Sequence, residues 1–198
     1  IDAVLNSAQA LVRDGELSKA DAVLTSAIGQ YPTEPRLYLS RAELLVSQKQ
    51  PAEAYSMYEK ALAIGPREGP IEFDAGTVAS MAGKLDRAVE HYQAAQRAMP
   101  RDHRPALYLA QVQLKLKRTE EAKANLVLAG TLNPDIAVVW GTLADVELAE
   151  NKSGLALQHV AKARQLEPRV TLWRLLEARA LKRDGRAEEA LQTLIGVD

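Results

Sequence analysis

A fixed interval of 34 residues organises this 198-residue sequence. A proline recurs at that interval, and so does a small residue in each of three further columns, without insertion or deletion. The prolines are Pro32, Pro66, Pro100, Pro134 and Pro168, and the columns are Ala8, Ala42, Gly76, Ala110, Ala144 and Ala178; Ala20, Ala54, Ala88, Ala122, Ala156 and Ala190; and Ala27, Ala61, Ala95, Ala129 and Ala163. Such self-similarity is typical of stacked supersecondary units. We expect a single array over residues 1–198, with repeats at 1–34, 35–68, 69–102, 103–136, 137–170 and 171–198.

Each repeat is predicted to hold two helices. Apolar and small residues are spaced by three and four positions, as in Tyr38, Ala42 and Leu45, which places them on one side of a helix. Between the helices, one position holds residues that tolerate the left-handed conformation in four repeats and lysine in two. It is occupied by Gly15, Lys49, Gly83, Lys117, Asn151 and Gly185. The periodic proline ends the second helix, and the hairpins must stack into an all-α solenoid because one hairpin cannot bury its apolar side alone.

The fifth repeat shows a longer motif. It contains Trp140, Leu143, Ala144, Ala156, Val160, Ala163 and Pro168, and Gly76 adds a glycine at the corresponding place in the third repeat. This pattern resembles the tetratricopeptide repeat, whose signature is Trp-x2-Leu-Gly-x2-Tyr, then Ala-x3-Phe, then Pro. The resemblance extends over the whole chain. It implies a right-handed solenoid of antiparallel helix pairs.

Several positions depart from that signature. Gln113 and Glu147 are polar where the signature has an aromatic residue. The usual leucine is replaced at Ser7, Arg41 and Glu177. We expect these departures to weaken local packing. In the sixth repeat, Trp173 lies one position before the signature tryptophan site, which Arg174 occupies. The residue at which the first helix of this repeat begins is therefore the least determined of the six.

Composition excludes several classes of partner and site. The 25 Lys and Arg residues nearly balance 26 Asp and Glu residues, so no overall field attracts nucleic acid or an anionic membrane. The absence of cysteine excludes disulfides and thiolate metal sites, and no stretch approaches the length of a membrane span. A soluble chain in the cytoplasm or the bacterial periplasm is expected. Because the sequence begins at Ile1 without methionine, we expect a processed protein or a fragment.

No arrangement of residues points to catalysis. The three histidines, His91, His103 and His159, are too scattered for a metal site and are expected to be partly exposed surface residues. Residues 65 to 69 follow no strand and are interpreted as a connector rather than a phosphate loop. Acidic pairs such as Glu120 and Glu121 suit the positive end of a helix dipole. We predict no catalytic residue, no metal and no cofactor.

Recognition is expected on the concave surface, which the first helix of each repeat lines. In the first two repeats the lining residues are Asn6, Gln9, Arg13, Arg36, Ser40 and Glu43. The candidate partner-binding residues are Phe73, Asp74, Thr77, Arg104, Tyr108, Gln111, Lys115, Asp145, Arg179 and Arg183. Phe73 and Tyr108 are the candidate aromatic anchors, with packing between repeats as the alternative. Arg104 with Lys115, and Arg179 with Arg183, form two basic spots that could hold acidic segments or simply be solvated.

The carboxylate clamp of tetratricopeptide proteins that serve heat-shock chaperones is absent. The corresponding positions hold Leu5, Gln9, Ser40, Pro70 and Asp74, and Asp74 would repel a carboxylate. We therefore predict a protein-protein interaction scaffold with another protein or peptide partner, within a larger protein or assembly. The alternatives are a regulatory or substrate-presenting arm of an enzyme or envelope export system, and an RNA-binding helical repeat.

The C-terminal repeat is expected to leave an apolar stripe uncovered. Ala187, Ala190, Leu191 and Leu194 lie on its second helix, which should end early at Gly196 and fray first. We expect this stripe to be covered by further residues, by a following domain, or by the same end of another molecule in a homo-oligomer.

Overall fold

The computed structural model describes residues 1–195, and this part of the chain consists of twelve α-helices without β-strands. The helices are α1 (Asp2–Arg13), α2 (Leu17–Gln30), α3 (Pro35–Ser47), α4 (Pro51–Ile64), α5 (Gly69–Met81), α6 (Leu85–Ala98), α7 (His103–Lys115), α8 (Thr119–Leu132), α9 (Ala137–Ala149), α10 (Ser153–Leu166), α11 (Thr171–Arg183) and α12 (Ala187–Leu194). The predicted two helices per repeat are confirmed. The expected end at Gly196 lies outside the described residues.

The turn inside each hairpin has the predicted left-handed residue. All six residues at that position have φ between 60° and 82°, including Lys49 and Lys117 at 60°. The chain then closes the first helix with two backbone hydrogen bonds, as from Lys49 N to Val46 O (2.9 Å) and from Gln50 N to Leu45 O (2.9 Å). This is the Schellman pattern, in which a left-handed residue lets the last carbonyl groups of a helix find donors.

The small-residue columns lie where paired helices cross. The alanines of the three columns expose at most 7% of their surface. At Gly76 an added Cβ would be 2.8 Å from the ring of Tyr92, so only hydrogen fits between α5 and that ring. Close helix approach therefore explains why these columns hold Ala or Gly.

The helices group into two compact units, Ile1–Met99 and Pro100–Asp198. Within the first unit, α2 packs against α1 and α3, and α4 packs against α3 and α5. Within the second unit, α8 packs against α7 and α9, and α10 packs against α9 and α11. Contacts also join α1 to α3 and α9 to α11. Each unit thus has a surface made by its first helices, named here the first-helix face.

In two repeats the signature tryptophan site ties the first helix to the chain before it. Tyr38 donates to the carbonyl of Pro32 (3.0 Å), and Trp140 donates through Nε1 to the carbonyl of Pro134 (2.8 Å). In the last hairpin, Arg174 occupies this site and donates instead to the carbonyls of Thr193 and Ile195. The neighbouring Trp173 is buried against α9, which confirms the one-position offset read from the sequence.

Candidate functional site

The first-helix face of the first unit contains a groove of about 520 Å³ between α1 and α3. Its polar lining includes Asn6, Gln9, Arg13, Arg36, Ser40 and Glu43. Leu5, Val12 and Leu39 contribute an apolar component. The sequence placed these six polar residues on the concave surface, and the structure brings them together. Neighbouring first helices position them because their stacking aligns the same side of each helix.

Carboxylates set the electrostatics at the α3–α5 side of this face. Partial burial of its carboxyl group, and then the nearby charge of Asp74, raise the pKa of Glu43. Burial, and then the charges of Asp74 and Glu43, raise the pKa of Tyr58. This region therefore disfavours a partner's carboxylate, as the sequence indicated for Asp74.

The predicted anchor Phe73 packs inside its own hairpin. Its ring is half-buried, with its centroid 5.6 Å from that of Tyr92 and a tilt of 52° between the planes. Tyr92 donates to Thr77 Oγ1 (3.1 Å), and Thr77 donates to the carbonyl of Phe73 (3.0 Å). Phe73 and Thr77 therefore both contact Tyr92. The Phe73 ring packs against this neighbour, which is the alternative to a role as a partner-binding anchor.

On the second unit, a groove of about 480 Å³ lies on the first-helix face. Val138 and Thr142 of α9 and Leu172 of α11 line it. Asp145 and Arg179 also line it and form an exposed ion pair of 3.1 Å. Two of the predicted partner-binding residues therefore lie in one groove.

The remaining predicted residues of this unit have different surroundings. Arg104 binds the carboxylate of Asp102 (2.6 Å) beside the start of α7. Arg183 donates to the carbonyl of Leu148 and to Asn151 Oδ1, so it caps the end of α9. Tyr108 and Lys115 are exposed and Gln111 is half-buried. Both predicted basic spots thus include an arginine engaged with its own chain.

Sequence reasoning missed a buried polar cluster between α4, α5 and α6. The expectation of a partly exposed His91 is wrong, because His91 is 4% exposed and Glu72 is 1% exposed. His91 Nδ1 lies 2.7 Å from Glu72 Oε2, and Arg67 donates to the other Glu72 oxygen (2.6 Å). Tyr55 lies 3.3 Å from His91 Nε2. A partial signal was available, since the apolar Met57 occupies the His91 position one repeat earlier, although Asn125 and His159 at the same position are half-buried.

The neighbouring charges determine whether the Glu72 carboxyl group in this cluster is ionised. Burial raises the pKa of Glu72, but hydrogen bonds from Arg67 and His91 outweigh burial, so its pKa lies below the ordinary value. The ionised carboxylate accepts only, so His91 Nδ1 carries a proton. Burial, and then the charge of Glu59, raise the pKa of Tyr55 to about 12. Glu59 Oε1 also lies 3.3 Å from His91 Nε2, so the far side of the ring has both a phenol and a carboxylate beside it. The buried polar atoms of this cluster are therefore paired with one another.

A related pair lies in the fifth hairpin. His159 Nδ1 is 2.8 Å from Glu147 Oε2, and the His159 ring stacks on Trp140 with centroids 5.7 Å apart. Lys162 Nζ lies 3.7 Å from the centroid of the Trp140 ring.

Within residues 1–195, no group of three or more His, Cys, Asp or Glu side chains is placed to hold a metal ion. Over the same residues, no helix has the length and apolarity needed to cross a bilayer.

Paired helices of this length, the small-residue columns and the periodic proline together decide the family. The family model described as Tetratricopeptide repeat matches residues 5–68 and 73–130. The chain belongs to the tetratricopeptide repeat family. Repeats of this family are generally non-catalytic scaffolds for protein-protein interactions.

Known proteins with similar sequence are much longer than this tetratricopeptide repeat chain. It is 35% identical over 95 residues to Protein FlbA of Caulobacter vibrioides, covering 48% of this chain and 16% of that protein. It is 26% identical over 153 residues to Tetratricopeptide repeat protein 7B of Homo sapiens, covering 75% of this chain and 18% of that protein. The matched regions therefore span less than a fifth of these relatives.

Solved tetratricopeptide structures share the fold. YrrB, described as a TPR protein with an unusual peptide-binding site, superposes with a TM-score of 0.77 at 21% identity. The superposition covers 86% of this chain and 88% of YrrB. At this identity the likeness shows the solenoid of helix pairs and nothing finer.

Proposed function

We propose that this tetratricopeptide repeat chain is a non-catalytic scaffold that binds a peptide or an extended segment of a partner protein on its first-helix faces, within a larger protein or assembly. The candidate contact residues are the partner-binding residues predicted from the sequence for the third to sixth repeats, together with the six polar residues of the α1–α3 groove. The supporting observation is that groove, which polar and apolar side chains line together. Such a combination suits a peptide, because apolar side chains supply burial and polar groups orient the backbone.

The second groove supports the same proposal. Val138 and Leu172 offer exposed apolar surface beside the Asp145–Arg179 ion pair. Tyr108 exposes 38% of its surface on α7 and is the aromatic anchor we retain. The peptide-binding site named for YrrB agrees with a peptide partner, although it concerns that protein.

The experiment selects peptides from a random phage library against the chain and measures their affinity by calorimetry. We expect Val138→Glu or Tyr108→Ala to weaken a selected peptide at least about tenfold, because each removes apolar contact from the first-helix face. The matched controls are Val127→Glu and Tyr31→Ala, which change the same residue types at more exposed positions on or after second helices. A peptide weakened by the controls, and not by Val138→Glu or Tyr108→Ala, would move the binding site away from the first helices.

A further inference from the structure

The last hairpin carries an apolar groove of about 590 Å³ between α11 and α12. Leu172, Leu175 and Leu191 line it and expose 53%, 43% and 69% of their surfaces. Ile195, next to α12, exposes 75%. Large apolar side chains are thus concentrated on one short hairpin, and a contiguous patch of this kind marks an interaction surface.

The preceding hairpin shows how this groove differs from an internal seam between repeats. There, the ring of Trp173 occupies the space over Gly141, where an added Cβ would be 2.1 Å from the ring. In the next repeat, Leu175 occupies the position of Gly141, and the exposed Lys182 occupies the position of the buried Leu148. A helix lying in this groove therefore needs aliphatic side chains rather than an indole, and a carboxylate near Lys182.

Helix α12 itself has these properties. Glu188 and Leu191 are three residues apart, which places them on one side of the helix, and Ile195 directly follows the last helical residue. Glu188 and Lys182 are both exposed and form no ion pair with the other described residues. The hairpin thus combines an apolar groove, an apolar ridge and two complementary charges.

We propose that the α11–α12 hairpin binds the same hairpin of a second copy of this chain. A two-fold axis running along the hairpin in the plane of contact would lay α11 of each copy over α12 of the other. Both turns then meet at the same end, so Lys182 faces Glu188 of the partner subunit and the pair forms twice. Leu191 enters the opposite groove, which covers the apolar patch. This surface shares Leu172 and Arg179 with the groove between α9 and α11, whereas Lys182 and Leu191 line the α11–α12 groove alone. Variants at Lys182 and Leu191 therefore test the contact separately from peptide binding.

Sedimentation equilibrium of the chain tests the contact. We expect a reversible dimer, and Leu191→Glu should raise its dissociation constant at least about a hundredfold, because two leucines lose their burial. The matched control is Leu155→Glu, which alters an exposed leucine of α10 outside the groove and should leave the dimer unchanged. Circular dichroism checks that each variant keeps its helices.

A charge exchange distinguishes a second copy from any other occupant. Lys182→Glu and Glu188→Lys should each weaken the dimer about tenfold, since each creates two like-charge contacts. The double variant carries both changes and should recover to within about threefold, because both pairs are restored in reversed form. A monomer at every accessible concentration overturns the proposal. So does a double variant weaker than both single ones, or an equal effect of Leu155→Glu.

Discussion

At the scale of single residues, four of the departures from the tetratricopeptide signature form a hydrogen bond or ion pair with another polar side chain. Asn125 Nδ2 donates a hydrogen bond to Gln113 Oε1 (2.9 Å). Arg41 binds Asp21 of the preceding repeat (2.8 Å). The other pairs are Glu147 with His159 and Glu177 with Arg164. Burial of a polar group is costly unless a partner is present, and these four departures each have a polar partner nearby, whereas Ser7 is exposed and needs none.

The Glu72 cluster predicts a pH-dependent stability. We expect Glu72→Gln to lower the free energy of unfolding by roughly 1–3 kcal/mol at neutral pH, because Arg67 and His91 lose the charge of their buried acceptor. The folded pKa of Glu72 lies below its unfolded value, so its contribution is present above the unfolded pKa and is lost as pH falls through the folded pKa. Urea melts across the acidic range would show the two curves converging there.

The exposed Glu53 of α4 supplies the control for that experiment. Glu53→Gln should leave both the stability and its pH dependence close to those of the parent chain. A constant difference between Glu72→Gln and the parent at all pH values would show that the charge of Glu72 contributes nothing.

The hairpin turns predict a stabilising substitution. Lys117 has φ 60°, a conformation that costs a side chain with Cβ more than it costs glycine. We expect Lys117→Gly to raise the free energy of unfolding by about 0.5–1 kcal/mol in denaturant melts, with the greater freedom of the unfolded glycine limiting the gain. The converse change, Gly83→Lys, should destabilise by a similar amount. The same sign for both variants would contradict this account.

At the scale of helices, the alanine columns determine how closely each pair can approach. Ala88 of α6 and Ala122 of α8 are 0% exposed. Their methyl groups face a neighbouring helix without space for a larger side chain, and a closely packed interior relaxes only partly around added atoms.

An overpacking prediction follows for these columns. Ala88→Leu or Ala122→Leu should destabilise by roughly 1–3 kcal/mol, measured by thermal melts, because the added methylene groups push α6 or α8 from its first helix. Ala124→Leu, on the exposed side of α8, is the matched control and should change stability by less than about 0.5 kcal/mol. Unchanged melting of both core variants would refute the proposed crossing.

At the scale of the whole molecule, the balance of charge bears on the RNA-binding alternative. The formal net charge is -1, and protein affinity for RNA depends on neutralising phosphates. We expect no saturable binding of single-stranded RNA in a fluorescence titration at low salt. Tight binding that weakens steeply with added salt would instead favour a nucleic-acid role over a protein partner.

The periodic residues made most of the architecture predictable. Proline, the small-residue columns and the turn position each follow from local rules on backbone conformation and helix spacing, so twelve helices and six turns could be derived without coordinates. The polar lining of the α1–α3 groove followed as well, because residues at fixed positions of stacked repeats lie side by side.

Tertiary structure alone decided which polar side chains are partners. His91 and Glu72 are 19 residues apart and on different helices, and their burial depends on packing that local spacing does not describe. The same holds for Arg183, which looked available for a ligand but caps α9, 35 residues earlier in the chain. A one-dimensional period specifies which side of its helix a residue occupies. Whether that side chain meets solvent, a partner protein or a distant group of its own chain depends on the distances between helices once they are packed.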